Sequence, residues 1–150
     1  NIMRERLFNW LQFECHDKTF LDCFSGSGIL GIEAISRGAK HVTFVDIDIQ
    51  ACRDIEKNIS TLGATEHATV HPKKIPFNAP SNYDVILCDP PYDMDDFTRL
   101  FEWLNTSFPG ATLYFESSNK TPLEFPENWH ILKTAKQGLC RAHLIDINHE

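Results

Sequence analysis

The spacing of apolar residues changes repeatedly along this chain, and each change marks an element. Met3, Leu7, Trp10 and Leu11 recur at helical intervals and predict an opening helix. Phe20 to Phe24 is a short apolar run that reads as a buried strand. Ile29 to Arg37 is helical in pattern and stops before Gly38, a glycine suited to the position after a helix end. His41 to Asp46 predicts a second strand. Ile49, Cys52, Ile55, Ile59 and Leu62 make one apolar face of a further helix, closed by Gly63. Ala68 to His71 is a weak third strand and Tyr83 to Cys88 a strong fourth. Met94, Phe97, Leu100, Phe101 and Leu104 form another helical stripe, after which Ala111 to Glu116, Trp129 to Thr134 and Leu139 to Ile147 read as closing strands.

Strands that alternate with helices imply an α/β fold, a mainly parallel sheet with helices on both faces. The last two strands have no helix between them, which predicts a hairpin antiparallel to the rest, or partly so. In sheets of this kind ligands bind beyond the carboxyl ends of the strands, near the switch in strand order. Three predicted strand ends carry unusual residues: those after Phe24, after Val45 and after Cys88.

The first end opens into Asp22-Cys23-Phe24-Ser25-Gly26-Ser27-Gly28-Ile29-Leu30-Gly31, in which Gly26, Gly28 and Gly31 match GxGxxG. Glycine there allows a tight turn and a close approach of ligand to backbone, and the following helix offers free N–H groups. Asp46 stands 20 residues after Gly26, at the end of the second strand, where a carboxylate accepts from both hydroxyls of a ribose. Asp48 is placed as the N-cap of the helix that begins at Ile49. Loop and acid together describe an adenosine site and do not separate a nicotinamide cofactor from S-adenosylmethionine.

The third end separates them. Asp89-Pro90-Pro91-Tyr92 follows the fourth strand directly. Two prolines end the strand and stiffen the turn, since neither donates to a ladder. The Asp89 carboxylate and Pro90 carbonyl then form a fixed pair of acceptors beside the Tyr92 ring, a combination suited to the planar amine on the edge of a base. A nicotinamide oxidoreductase would need a hydride-transfer partner, which this turn does not supply.

Composition narrows the picture further. A chain of 150 residues, 42% of them hydrophobic and eleven of them Phe, can bury a single core and is expected to be one domain, 1–150. The net charge of −7 weighs against a non-catalytic nucleic-acid-binding module, which would carry a basic face. Cys15, Cys23, Cys52, Cys88 and Cys140 are odd in number and contain no CxxC pair, so buried thiols are expected, with neither a disulfide framework nor a zinc site. His67 and His71 have ligand-like spacing but fall near a strand, where i,i+4 positions do not share a face, and are read as surface residues. No metal is expected. No apolar run approaches the roughly 20 residues needed to span a bilayer, and with no signal peptide in view the expected location is cytoplasmic.

These motifs carry a resemblance. Asp89 to Tyr92 is similar to the [DNS]PP[YFW] signature of amino methyltransferases acting on nucleic acids, and Asp22 to Gly31 resembles their cofactor loop. More closely, Arg4-Glu5-Arg6-Leu7-Phe8-Asn9-Trp10-Leu11, Asp22 to Gly38 (above all Leu30 to Ala39), Val45 to Asp48, Asp89 to Tyr92 and Tyr114-Phe115-Glu116-Ser117 resemble the bacterial small-subunit ribosomal RNA guanine-N2 methyltransferase family. The resemblance implies a Rossmann-like class I fold with a seven-stranded sheet. It implies S-adenosylmethionine as cofactor, held by Asp22, Phe24, Gly26, Ser27, Gly28, Asp46, Ile47 and Asp89. It implies ribosomal RNA or the small ribosomal subunit as partner, met by Arg4, Asn9, Pro91 and Tyr92, with Asp89, Pro90 and Tyr92 as the catalytic group. An adenine-N6 enzyme would use the same turn; the resemblance alone favours guanine. The chain departs from the family at Lys73-Lys74, where members carry Asp or Asn followed by Ala near the adenine, so backbone groups near Lys74 and Ile75 are expected to take that part. The family's basic segment ahead of the Arg4 helix is expected to be missing.

Overall fold

The computed structural model describes residues 1–147. Its elements are α1 (Ile2–Trp10), β1 (Thr19–Cys23), α2 (Ile29–Ser36), β2 (His41–Val45), α3 (Ile49–Thr61), β3 (Ala68–His71), β4 (Val85–Cys88), α4 (Thr98–Ser107), β5 (Thr112–Ser118), β6 (His130–Gln137) and β7 (Cys140–Asp146), with a single 3₁₀ turn at Thr65–His67. The seven strands form one sheet in the order β3-β2-β1-β4-β5-β7-β6. β3, β2, β1, β4 and β5 are parallel neighbours. β7 runs antiparallel between β5 and β6, so the closing hairpin folds back and inserts its second strand.

Alternation along the strands divides the core into two layers. Phe20, Val42, Phe44, Val85, Leu87 and Tyr114 face α1, α2 and α3. Leu21, Val45, Ile86, Leu113 and Phe115 face α4 and an aromatic group built on Phe97, Phe101, Phe125 and Trp129. Period-two side-chain geometry places consecutive apolar residues on opposite faces, which is why central strands buried on both sides read as unbroken apolar runs. Helices therefore cover both faces, as the alternation predicts.

Several boundaries differ from those the pattern predicts. β4 begins at Val85, two residues later than the pattern predicts; Asp84 just before it ties the strand starts together, its carboxylate accepting from Thr19 N at 2.9 Å and its carbonyl from Thr112 N at 3.0 Å. Met94 and Phe97 belong to the apolar stripe but precede α4, which starts at Thr98 with Asp96 accepting from the Thr98 amide at 3.0 Å. Ile49 and Leu62 lie at the ends of α3 and face solvent; Cys52, Ile55 and Ile59 alone among the five are buried. Asp48 caps α3 as expected, accepting from Gln50 N at 2.9 Å. Cys15, Cys23, Cys52 and Cys88 are buried thiols and Cys140 is half-buried, with no disulfide among the described residues.

No helix among the described residues is long and apolar enough to cross a membrane. No group of three or more His, Cys, Asp or Glu among the described residues is placed to hold a metal ion. His67 is exposed, its Nδ1 3.0 Å from the Lys40 carbonyl oxygen.

Candidate active site

The carboxyl ends of β1, β2 and β4 lie side by side, in register at Cys23↔Val45 and Cys23↔Cys88, so the three unusual turns converge. Ser25 fastens the first turn. Its amide donates to the Val45 carbonyl at 2.9 Å, its hydroxyl donates to the Asp22 carbonyl at 2.7 Å, and that hydroxyl oxygen accepts from Val45 N at 3.0 Å. Phe24 takes a left-handed conformation, φ 58°, which side-chain-bearing residues rarely adopt and which recurs at functional turns.

Each motif glycine has its own physical reason. Gly26 has φ 57° and open space where a side chain would stand. A Cβ on Gly31 would sit 2.3 Å from the Phe44 ring, so that glycine serves the close packing of α2 on β2. A Cβ on Gly28 would meet Ile55 Cγ1 at 2.9 Å, so its missing side chain makes room for α3. The start of α2 has no side-chain cap, which leaves its first amides available to a ligand.

Asp46 stands beyond β2 with Oδ2 accepting from Gly26 N at 2.8 Å and Oδ1 from Asp48 N at 2.9 Å. Each oxygen keeps acceptor capacity after those bonds. Asp22 lies behind the loop, 3% exposed, with Oδ2 accepting from Gly31 N at 3.2 Å. Burial pushes its pKa up to about 7; the Gly31 and Ser25 contacts oppose this, and the charges of Asp89 and Asp46 add to it.

Two cavities open along these strand ends. One, of about 330 Å³, is lined by Phe24, Asp46, Ile47, Lys73, Lys74, Ile75, Asp89, Pro91 and Met94. The other, of about 280 Å³, is lined by Asp89 to Tyr92 with Met94, Phe97, Glu116, Ser117, Ser118 and Cys140. They share Asp89, Pro91 and Met94. The Asp89 side chain is open to water yet ringed by protein. That crowding, and the charge of Glu116, raise its pKa to about 7.

The structure thus brings Phe24, Asp46, Ile47 and Asp89 to one cavity and Asp89, Pro90, Pro91 and Tyr92 to the other. Gly26 and Ser27 line an open depression against α3, and Asp22 and Gly28 sit behind the loop. Arg4 and Asn9, on α1, line neither of the two cavities. Lys73, Lys74 and Ile75 do reach the larger one. Sequence reasoning passed over Met94, Phe97, Ser118 and Cys140, and gave Glu116 and Ser117 no part. The available signal was the Glu116-Ser117-Ser118 run, three polar residues ending a strand whose middle, Leu113 to Phe115, is apolar and buried.

This fold and this arrangement of turns are those of a class I methyltransferase. The solved structure of an Escherichia coli protein named as a methyltransferase superposes with a TM-score of 0.90 at 30% identity, covering 99% of this chain and 86% of that one. A methylase structure from Haemophilus influenzae gives 0.83 at 37% identity, covering 99% and 97%. The family described as "Conserved hypothetical protein 95" matches residues 1–146. "Ribosomal RNA small subunit methyltransferase D" of Haemophilus influenzae is 38% identical over 95% of this chain and 78% of its own length. Its namesake in Escherichia coli K12 is 34% identical over 94% and 75%. The chain belongs to this family of small-subunit ribosomal RNA methyltransferases.

Proposed function

We propose that this protein transfers the methyl group of S-adenosylmethionine to the exocyclic N2 of a guanine in small-subunit ribosomal RNA. The observation that carries the reading is the meeting of the two cavities at Asp89, Pro91 and Met94. One has the features of an adenosine site and the other is framed by the Asp-Pro-Pro-Tyr turn, so a methyl donor and a planar amine come together across Asp89.

The residues of the larger cavity fit the cofactor. Asp46 has acceptor capacity for two ribose hydroxyls, Phe24, Ile47 and Ile75 supply apolar surface for the adenine, and backbone groups near Lys74 and Ile75 serve its edge. Gly26, Ser27 and Gly28 shape the loop, with the uncapped start of α2 behind them. Asp22 acts from the rear by holding Gly31 and hence the turn. When bound, S-adenosylmethionine supplies an electrophilic methyl group on a cationic sulfur.

The smaller cavity receives the base after it leaves its stack. Tyr92, 66% exposed at the rim, offers its ring for stacking, and Pro91 walls the same side. The guanine amine is a poor nucleophile because its lone pair is delocalised into the ring. Asp89 and the Pro90 carbonyl accept its two N–H groups, favour a more pyramidal nitrogen and stabilise the positive charge that builds during transfer. Two prolines hold those acceptors in place, so little reorganisation accompanies the reaction. Arg4 and Asn9, on the surface of α1, serve the RNA outside the pocket.

The test is direct. Small ribosomal subunits from cells lacking this gene are incubated with the protein and methyl-labelled S-adenosylmethionine, and the RNA is digested to nucleosides. Label in N2-methylguanosine is expected. Label in N6-methyladenosine, or none in small-subunit RNA, would overturn the reading.

A further inference from the structure

The guanine assignment above comes from family membership, and Asp89-Pro90-Pro91-Tyr92 would serve an adenine amine equally well. Guanine and adenine differ at the atom beside the amine. Guanine N1 carries a proton and donates; adenine N1 has a lone pair and accepts. A pocket that tells them apart needs a group with a fixed hydrogen-bonding sense at that point.

Glu116 is such a group. It lies near the end of β5, and the register Cys88↔Phe115 sets Asp89 and Glu116 one step further on along neighbouring parallel strands. Both line the smaller cavity, and Glu116 is close enough for its charge to act on Asp89 and on Cys140. Its orientation is held from behind. The Tyr114 hydroxyl, on a side chain only 1% exposed, donates to Glu116 Oε1 at 2.6 Å. Among the described residues no side chain forms an ion pair with Glu116, and no Lys or Arg lines the cavity. Next in order come the Ser117 and Ser118 hydroxyls. Ser117 Oγ accepts from Arg141 Nε at 3.4 Å and Ser118 Oγ from Lys120 N at 3.2 Å, which leaves their protons to donate. The wall therefore reads acceptor, acceptor, donor from Asp89 to the serines. The edge of guanine reads donor, donor, acceptor through N2, N1 and O6.

Resting on the function proposed above, we infer that Glu116 is the specificity-determining residue of the base pocket, accepting the guanine N1 proton and repelling the N1 lone pair of adenine. A site built to pair a polar edge rejects an analogue that leaves its groups unpaired far more strongly than an apolar pocket rejects a change of size.

The experiment uses 2-aminopurine, which keeps the 2-amino group but has a lone pair at N1 and a hydrogen in place of O6. The O6 loss is common to every variant, so the change in preference on substituting Glu116 reads N1. Once the modified guanine has been located by mass spectrometry, small subunits are assembled with ribosomal RNA carrying guanine or 2-aminopurine at that nucleotide. Single-turnover methyl transfer is measured with the parent protein and with Glu116→Gln. The parent should prefer guanine by about a hundredfold or more. Glu116→Gln should lose rate on guanine but hold or gain on 2-aminopurine, because a carboxamide can turn its NH₂ to N1, and the preference should fall by about tenfold or more from the parent's. Cofactor affinity should stay at the parent value, since Glu116 lies outside the cofactor cavity. Should Glu116→Gln fail to fold, Glu116→Asp, which withdraws the carboxylate by one methylene, should lower the guanine rate alone. Equal losses on both bases, or an unchanged preference, would reduce Glu116 to a structural role. Methylation of adenosine in place of guanosine by the parent would instead strike the proposed function itself.

Discussion

Asp46 and Asp89 are both acids at strand ends, yet their surroundings assign them different work. Asp46 already holds two backbone amides, from Gly26 and Asp48, so it organises the loop as well as facing the larger cavity. Asp46→Ala should weaken S-adenosylmethionine binding by roughly 1.5–3 kcal/mol, the usual span for hydrogen bonds to a charged group. Calorimetry reads this directly, and an unchanged Kd would place the ribose elsewhere. Among the described residues nothing donates to the Asp89 carboxylate, which faces both cavities. Asp89→Ala should slow single-turnover methyl transfer by about a hundredfold or more, by comparison with loss of one preorganised polar group, while cofactor affinity changes little. Its raised pKa, about 7, adds a sign: the accepting carboxylate is the ionised form, populated above that pH. The transfer rate should therefore climb between pH 6 and 8, and in Asp89→Asn, slower than the parent but faster than Asp89→Ala, that climb should disappear. Asp22 carries the same logic into stability. Burial raises its folded pKa to about 7, well above the usual carboxylate range. The folded state thus holds its proton more tightly than the unfolded chain, so stability is greatest below the unfolded pKa and falls as pH rises toward 7. Asp22→Asn can keep the acceptor for Gly31 N without the buried charge. It should raise stability at pH 8 by about 2–4 kcal/mol and flatten the decline between pH 4 and 7 in chemical denaturation. A variant less stable than the parent at pH 8 would show that ionised Asp22 is needed to hold the turn.

The glycine loop divides its work between a strand and two helices. Reading GxGxxG from spacing alone suggests that the ligand demands all three glycines, and a side chain at Gly28 is then expected to intrude on the cofactor. The structure turns that position toward Ile55 of α3. Gly28→Val would therefore disturb packing as well as the φ of 79° there, and cannot serve as a clean probe of binding. Gly31→Ala should destabilise the fold by about 1–3 kcal/mol, the usual cost of overpacking, because its Cβ would press on the Phe44 ring at 2.3 Å. Gly26→Ala meets open space and should cost only the roughly 1–2 kcal/mol of a left-handed residue, leaving the sheet intact by circular dichroism. A larger loss at Gly26 than at Gly31 in thermal unfolding would contradict this division.

At the scale of the whole molecule, cofactor binding should be legible in thermal stability. A ligand that binds the native state alone stabilises it by about 2.7 kcal/mol at a hundred times its Kd. For a chain of this size that amounts to roughly 2–4 °C of Tm per kcal/mol. S-adenosylmethionine and its demethylated product should each raise Tm by several degrees, and NAD should not. A shift with NAD and none with S-adenosylmethionine would reject the cofactor assignment.

Local chemistry made much of this legible. The alternation of periods identifies each strand and α-helix among the described residues, because a central strand buried on both faces and an amphipathic helix leave different apolar signatures. Gly26, Asp46 and Asp89-Pro90-Pro91-Tyr92 stand out because tight turns and strand ends admit few residue types. Tertiary structure alone decided which elements become neighbours. The insertion of β7 between β5 and β6 depends on a sheet edge far away in the chain, which no local period records. That insertion carries Cys140 to the pocket, and the β4–β5 register sets Glu116 beside Asp89. Glu116 is an ordinary polar residue at the end of a strand until Tyr114 holds it and Asp89 faces it. The burial that raises Asp22 to about 7, and the crowding by neighbouring strand ends that does the same for Asp89, are likewise products of the assembled sheet. Spacing shows what residues can do, and only the assembled sheet determines what lies next to them.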